Sequence, residues 1–217
     1  MKNGSDLDSL ADYVASRKAL PGCLAKRPIC YTTPSMTHSF PLITERLVLR
    51  AFTPADAPDV QRLAGEWEVA DTTRVVPHPY LDGMAEDWIS THEDPAQATL
   101  QIQLAVAEQA TNALVGAISL VDINHQDSRA ELGYWIGQPF WGQGYCTEAA
   151  TALLAFAFQA LELNRVCAQY LKRNPASGRV LEKLGMREEG LLRRHNKKWE
   201  NFEDVIVCGI LRSEWTS

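Results

Sequence analysis

The chain predicts a single α+β domain, a mixed sheet flanked by helices, and three observations carry that prediction. Segments that alternate apolar and polar residues are interleaved with segments of helical spacing. Between Glu131 and Ala149 the run ELGYWIGQPFWGQGYCTEA joins a strand to a helix through a Gly-rich turn. Finally, 217 residues of which 46% are hydrophobic are enough for one substantial core and do not require a second.

Residues 1–38 read as a poorly ordered N-terminal extension and residues 39–217 as the domain. Asp6 to Tyr13 permits a short helix, but Pro21, Gly22, Pro28 and Pro34 interrupt the rest, and no apolar h-region of a secretory signal is present. The first strand is expected over 45–52, where Leu47 and Leu49 alternate with Val48 and Arg50. Thr53-Pro54-Ala55-Asp56 is a capping signal with proline at the first helical position, and a helix follows to about Gly65. Asp82 is expected to cap a second short helix bearing Met84, Trp88 and Ile89. Two strands, 100–107 and 114–123, form a hairpin around the polar turn 109–112. A strand over 129–136, a helix over 147–161, a strand over 165–171 and a helix over 175–184 come next, and Leu191 and 205–211 are strand-like.

The Gly-rich turn has the form of a pyrophosphate cradle. Glycine lets backbone approach a ligand closely, and amides at a helix start have no partners inside the helix, so an anion fits there. The plainer alternative is a tight strand-to-helix connection. A dinucleotide fingerprint would need a third glycine where Thr147 stands, and a nucleoside-triphosphate loop would need Gly-Lys-Ser/Thr, which is absent.

The segment is similar to the acyl-CoA-binding motif of the GNAT superfamily of N-acetyltransferases, and most like the branch that acetylates ribosomal-protein N-termini (RimJ/RimL-like). The similarity runs from about Leu42 to Trp215 in four ordered blocks: TERLVLRAF, the cradle, NPASGRVLEKLGM at 174–186, and DVIVCGILRSEW. The resemblance implies a GNAT fold with a mostly antiparallel sheet of about seven strands and a splayed cofactor-binding strand pair. It also implies acetyl-CoA as cosubstrate, no metal, and direct transfer of the acetyl group to a primary amine in a ternary complex. Tyr134, Trp135, Ile136, Trp141, Gly142, Gln143, Gly144, Tyr145, Cys146 and Thr147 would contact the cosubstrate, and Asn174 would bind the pantetheine amides. Many relatives begin as MTHSFPLITERLVLR does, which makes Met36 a second candidate translation start. Two positions depart from the family pattern. Pro139 replaces the usual Gln or Arg at the first cradle position and has no amide to donate. Leu181 stands where many relatives carry a tyrosine that protonates the leaving thiolate.

Acetyl transfer requires a deprotonated amine, and an alkylamine holds its proton up to a pKa of about 10. Glu131, on the cradle strand, is the candidate general base acting through water; otherwise it is a strand-edge glutamate facing solvent or Arg129. The resemblance implies that an amide of the 134–136 backbone stabilises the oxygen of the tetrahedral intermediate. Ser177 matches a serine that the ribosomal-protein branch places near the sulfur, although a Ser in the first turn of a helix often only bonds that turn. His195 is a further base candidate or a surface histidine. Trp135 and Trp141 would wall the acyl channel or pack as core and lid. Arg193, Arg194, Lys197 and Lys198 form a basic patch that either holds the 3′-phosphate of CoA or is a solvated loop.

The net charge is −6 with a pI near 5.4, which does not imply a nucleic-acid surface and suits an amine or basic peptide. Five scattered cysteines without C-x-x-C pairs or histidine clusters indicate free thiols in a reducing, cytoplasmic setting, and no metal site. Cys146 reads as a small hydrophobe and not as a nucleophile. The apolar runs are too short to span a membrane. The acceptor is expected to be a protein or peptide N-terminus, with a small-molecule amine or a non-catalytic acyl-CoA sensor as alternatives. Its contacts would come from loops 74–82 and 192–202, which hold Arg74, His78, Tyr80, Lys198 and Glu200. Both monomer and homodimer are compatible with the sequence.

Overall fold

A computed structural model describes residues 40–93 and 99–216; the expected extension over 1–38 and the Met36 start lie outside the described residues. Strands β1 (Leu42–Ile43) and β2 (Leu47–Arg50) open the sheet. After them the Thr53 amide and hydroxyl both donate to Asp56 Oδ2, at 2.8 and 2.9 Å, and a single 3-10 turn leads into helix α1 (Ala57–Ala64). That is the capping signal at Thr53 working as expected.

Two details differ from the expectation. A helix not anticipated, α2 (Trp67–Thr72), follows α1, and helix α3 (Met84–Ser90) starts from Gly83, at φ 86°, instead of from an Asp82 cap. The Asp82 carboxylate accepts from Gln61 Nε2 at 2.7 Å and so pins the loop to α1.

The hairpin appears as β3 (Ile102–Glu108) and β4 (Leu114–Asn124), followed by β5 (Arg129–Ile136), helix α4 (Tyr145–Gln159), β6 (Arg165–Leu171) and helix α5 (Pro175–Lys183). The last hairpin, β7 (Arg187–Lys198) and β8 (Asn201–Leu211), is longer than the sequence indicates. Among the described residues the sheet has eight strands, one more than the expected number of about seven, in the order β1-β2-β3-β4-β5-β6-β8-β7. Among the described strands β5 and β6 pair in parallel and every other neighbouring pair is antiparallel.

Side chains on successive strand residues point to opposite faces, and this divides the core in two. On one face Leu104, Val106, Ala130, Leu132 and Ile136 pack under α4, whose Ala149, Ala150, Leu153, Leu154, Ala157 and Phe158 are buried at helical spacing. On the other face Ala105 and Leu114 pack against Val60, Leu63 and Ala64 of α1 and Ala85 and Ile89 of α3, with Trp135 alongside. No helix among the described residues is long and apolar enough to cross a membrane.

Candidate active site

β5 ends at Ile136, and the chain passes through Gly137 and a 3-10 turn, Gln138–Phe140, to the exposed residues 141–144. Gly142 and Gly144 take φ of 75° and 81°, and a Cβ at Gly142 would meet nothing within 4 Å. Glycine is therefore needed at 142 for its left-handed backbone, with open space in front of it. Gly144 caps α4, whose first bond runs from the Glu148 amide to the Gly144 carbonyl at 3.0 Å, so the earlier amides are free for an anion. Trp141 Nε1 donates to the Ile136 carbonyl at 2.6 Å, which holds the indole as a flap over the strand end. Gln143 Nε2 donates back to the Pro139 carbonyl at 3.0 Å. A groove of about 540 Å³ lies beside the turn and is lined by Thr44, Gly144, Thr147, Glu148, Thr151 and Lys183 among others. Cys146 is a poor nucleophile, since burial pushes its thiol up to about 12.

Next to the cradle the sheet opens. The parallel ladder of β5 and β6 runs from Arg129↔Arg165 to Leu132↔Ala168 and stops there. Beyond that point β5 stays paired with β4 through Ile136↔Gly116, while β6 stays with β8 through Leu171↔Val205. The two strands splay apart and leave backbone groups of 133–136 facing the gap, as the expected cofactor-binding strand pair requires.

Glu131 lies at the throat of this gap, on the face shared with α1–α3. Its Oε1 accepts from Arg74 Nη1 at 3.2 Å and its Oε2 from Gln169 Nε2 at 3.1 Å, while Arg74 Nη1 also donates to Gln169 Oε1 at 2.6 Å. Its partner is thus Arg74, from the loop after α2, and not Arg129, which pairs with Asp127 at 3.7 Å. Burial raises the Glu131 carboxyl above its ordinary value, Arg74 opposes the rise, and Asp122 adds to it. A carboxyl raised by burial and set at the mouth of a gap has the character of a general base.

Ser177 and Tyr134 meet on the opposite face, where the phenol and hydroxyl oxygens are 2.7 Å apart. Burial raises the phenol well above 10 and keeps it protonated. Asn174 caps α5: its Oδ1 accepts from the Ser177 amide at 3.2 Å and its Nδ2 donates to the Thr72 carbonyl at 3.1 Å. Leu181 is fully packed in the core.

The loop after α2 and the β7–β8 turn close the α1–α3 side together. Trp67 stacks on Trp199 at 4.8 Å, with His78 edge-on to Trp67 at 5.2 Å. Arg173 binds Asp71 through Nη1 at 2.8 Å and Glu203 through Nε at 3.0 Å, and Trp199 Nε1 donates to Asp71 at 2.9 Å. The expected basic patch is not one unit: Lys198 is buried and donates to the Val76 carbonyl at 2.7 Å, whereas Arg193, Arg194, His195 and Lys197 remain exposed on the edge strand. Gln169, bonded to Glu131 and Arg74, and the Arg173–Asp71 pair stand at this site without any local motif to mark them.

Residues 46–187 match the family model described as an acetyltransferase (GNAT) domain. The chain is 29% identical over 174 residues to N-acetyltransferase p20 of Bacillus licheniformis, itself uncharacterised, covering 80% of this chain and 97% of p20. It is 31% identical over 85 residues to the ribosomal protein uS5-alanine N-acetyltransferase of Escherichia coli, covering 39% of this chain and 44% of that enzyme. The solved structure of spermidine N-acetyltransferase from Vibrio cholerae, in complex with CoA and spermine, superposes with a TM-score of 0.69 at 22% identity, over 79% of this chain and 98% of that one. At that identity the likeness speaks for the fold alone.

Proposed function

The chain belongs to the GNAT acetyltransferase family and is an N-acetyltransferase; from that premise we propose that it moves the acetyl group of acetyl-CoA directly to a primary amine, the N-terminus of a protein or peptide. The observation that supports this most is the gap between β5 and β6, with the glycine cradle at its end and Glu131 and Ser177 on its two sides. The residues present fit acetyl-CoA: a left-handed Gly142 with open space before it, free amides at the start of α4, and strand backbone that the β5–β6 ladder does not cover. Acetyl-CoA supplies an acyl group activated as a thioester.

In this reading the amides of Gly142 to Thr147 and the groove beside them hold the diphosphate, and Trp135, Trp141 and the 134–136 backbone shape the channel. Glu131 receives the ammonium proton of the acceptor, directly or through water, from the α1–α3 face. The Ser177 hydroxyl, held by Tyr134, would donate a hydrogen bond to the sulfur as the thiolate leaves, and the thiolate would take its proton from solvent. With a thiol pKa of about 8.5 the leaving group needs only modest help, so the buried Leu181 does not prevent turnover.

The acceptor surface favours a peptide. A polyamine calls for several free carboxylates, but here Glu131 is paired with Arg74, and Asp71 and Glu203 with Arg173. Val75 is 82%, Leu81 59% and Trp67 48% exposed on the surrounding loops, which suits apolar peptide side chains. The relative that acetylates an alanine of ribosomal protein uS5 agrees with this class. The test is CoA release from acetyl-CoA with peptides beginning in Ala, Ser, Thr or Met, beside polyamines and aminoglycosides. Selective turnover of peptides supports the proposal, turnover of small amines alone overturns the acceptor, and silence despite acetyl-CoA binding points to a non-catalytic sensor.

A further inference from the structure

We infer that Arg46, at the entry to β2, is the positioning residue of the diphosphate cradle: its guanidinium holds the Gln143 carbonyl and so aims the Gly144 amide at the anion. The inference rests on the reading that the turn 141–145 receives the diphosphate of CoA. One side chain makes all the relevant contacts. Arg46 Nη1 donates to the Gln143 carbonyl at 3.0 Å, and Nε and Nη2 both reach Glu148 Oε2 at 2.7 Å. The guanidinium lies over the Tyr145 ring at 4.6 Å, and Nη2 is 3.4 Å from where a Cβ of Gly144 would stand. The Arg46 amide and the Thr44 hydroxyl hold Glu148 Oε1 at 2.8 and 2.6 Å.

A trans peptide is planar, and its C=O and N–H point in opposite directions. Drawing the Gln143 carbonyl toward Arg46 therefore turns the Gly144 N–H to the other side of the turn. Gly144, at φ 81° on the C-terminal side of that peptide, would otherwise leave the plane loosely held. A second effect is electrostatic. Glu148 sits in the first turn of α4, where an unneutralised carboxylate would repel a diphosphate, and Arg46 neutralises it in place. Lysine would restore the charge but not the fork that reaches a carboxylate and a carbonyl at once.

The Arg46 side chain is 43% exposed, so its ion pair contributes little to folding and its effect is expected on the ligand. The test uses R46A and R46K in two assays: CoA binding by calorimetry, and turnover of acetyl-CoA against S-acetyl-N-acetylcysteamine, a thioester without the diphosphate. R46A should weaken CoA binding and raise KM for acetyl-CoA by about tenfold to a hundredfold, as misplacement of a binding group does, with kcat nearly unchanged. R46K should recover only part of this. Turnover of the truncated thioester should stay at the wild-type level in both variants. Equal losses on the two thioesters would make Arg46 a general structural support and overturn the inference, as would wild-type CoA affinity in R46A. If the wild-type protein itself fails to bind CoA, the cradle reading falls and Arg46 with it.

Discussion

Replacing Glu131 with glutamine separates its chemical role from its structural one, because glutamine matches its shape. The carboxylate accepts from both Arg74 and Gln169, and those two are already bonded to each other. In E131Q the new amide has one oxygen and one NH2 to offer, so whichever way it turns, one edge of this triangle brings two donors together. The lost bond and its repulsion should cost about 1–2 kcal/mol of stability, readable by urea unfolding. The catalytic loss should be far larger. A positioned base contributes about a hundredfold to ten-thousandfold, so kcat should drop at least a hundredfold while calorimetry shows unchanged acetyl-CoA affinity. The pH profile adds an independent sign. Burial raises the Glu131 carboxyl above 4.5, and a base must be ionised, so wild-type kcat/KM should fall as pH drops through that raised value. E131Q should lack that limb. Turnover of E131Q within about threefold of wild type, too small for a lost base, would refute Glu131 as the base.

Three more outcomes follow from the same structure. Asp56 is 7% exposed and is held by Arg50 at 2.7 and 2.8 Å; burial opposes its charge, but the Arg50 and Thr53 bonds outweigh it and set the carboxyl below 3.8. The stability this pair supplies should be complete above the unfolded value of about 3.9 and be lost as pH falls through the lower folded value, and D56N should forfeit about 3 kcal/mol at neutral pH by denaturant titration. G142A should lower the melting temperature by about 2–8 °C, since its Cβ meets nothing and only the left-handed backbone is strained, yet it should weaken CoA binding measurably by calorimetry. F158A should cost about 3–5 kcal/mol in urea, because Phe158 is among the largest fully buried side chains.

What the sequence reveals depends on how far the interacting residues are separated along it. The cradle and its helix are local, a strand, two glycines and an apolar stripe in one run, and they are legible without a structure. Strands β5 and β6 alternate in part and β3 and β4 are largely apolar runs bounded by polar turns, and all four fall within about two residues of where those patterns put them. Helix α2 has only six residues and no side-chain cap at Glu66, so tertiary contacts and not local signals make it helical. The partners of Glu131 and of the cradle come from far away in the chain: Arg74 precedes Glu131 by 57 residues, and Arg46 precedes Glu148 by 102. No short window contains both members of either pair.

One arrangement was legible and decides how the site divides its work. Glu131 and Tyr134 are three residues apart on one strand, an odd spacing, so their side chains lie on opposite faces of the sheet. Tyr134 and Ser177 meet on the face covered by α4 and α5, and the cradle opens at the start of α4. Glu131 meets Arg74 on the face covered by α1–α3, beside the loops read here as the acceptor surface. A continuous sheet would keep these two sets apart, since backbone hydrogen bonds close the space between paired strands. The ladder between β5 and β6 ends at Leu132↔Ala168, and on the proposed function the gap beyond is where a thioester entering from one face meets an amine arriving from the other. Substitutions at Arg46 or Gly142 should therefore act on KM for acetyl-CoA, and substitutions at Arg74 or Trp67 on KM for the amine. A side chain in the gap that shifts both constants together would mark where the two substrates meet.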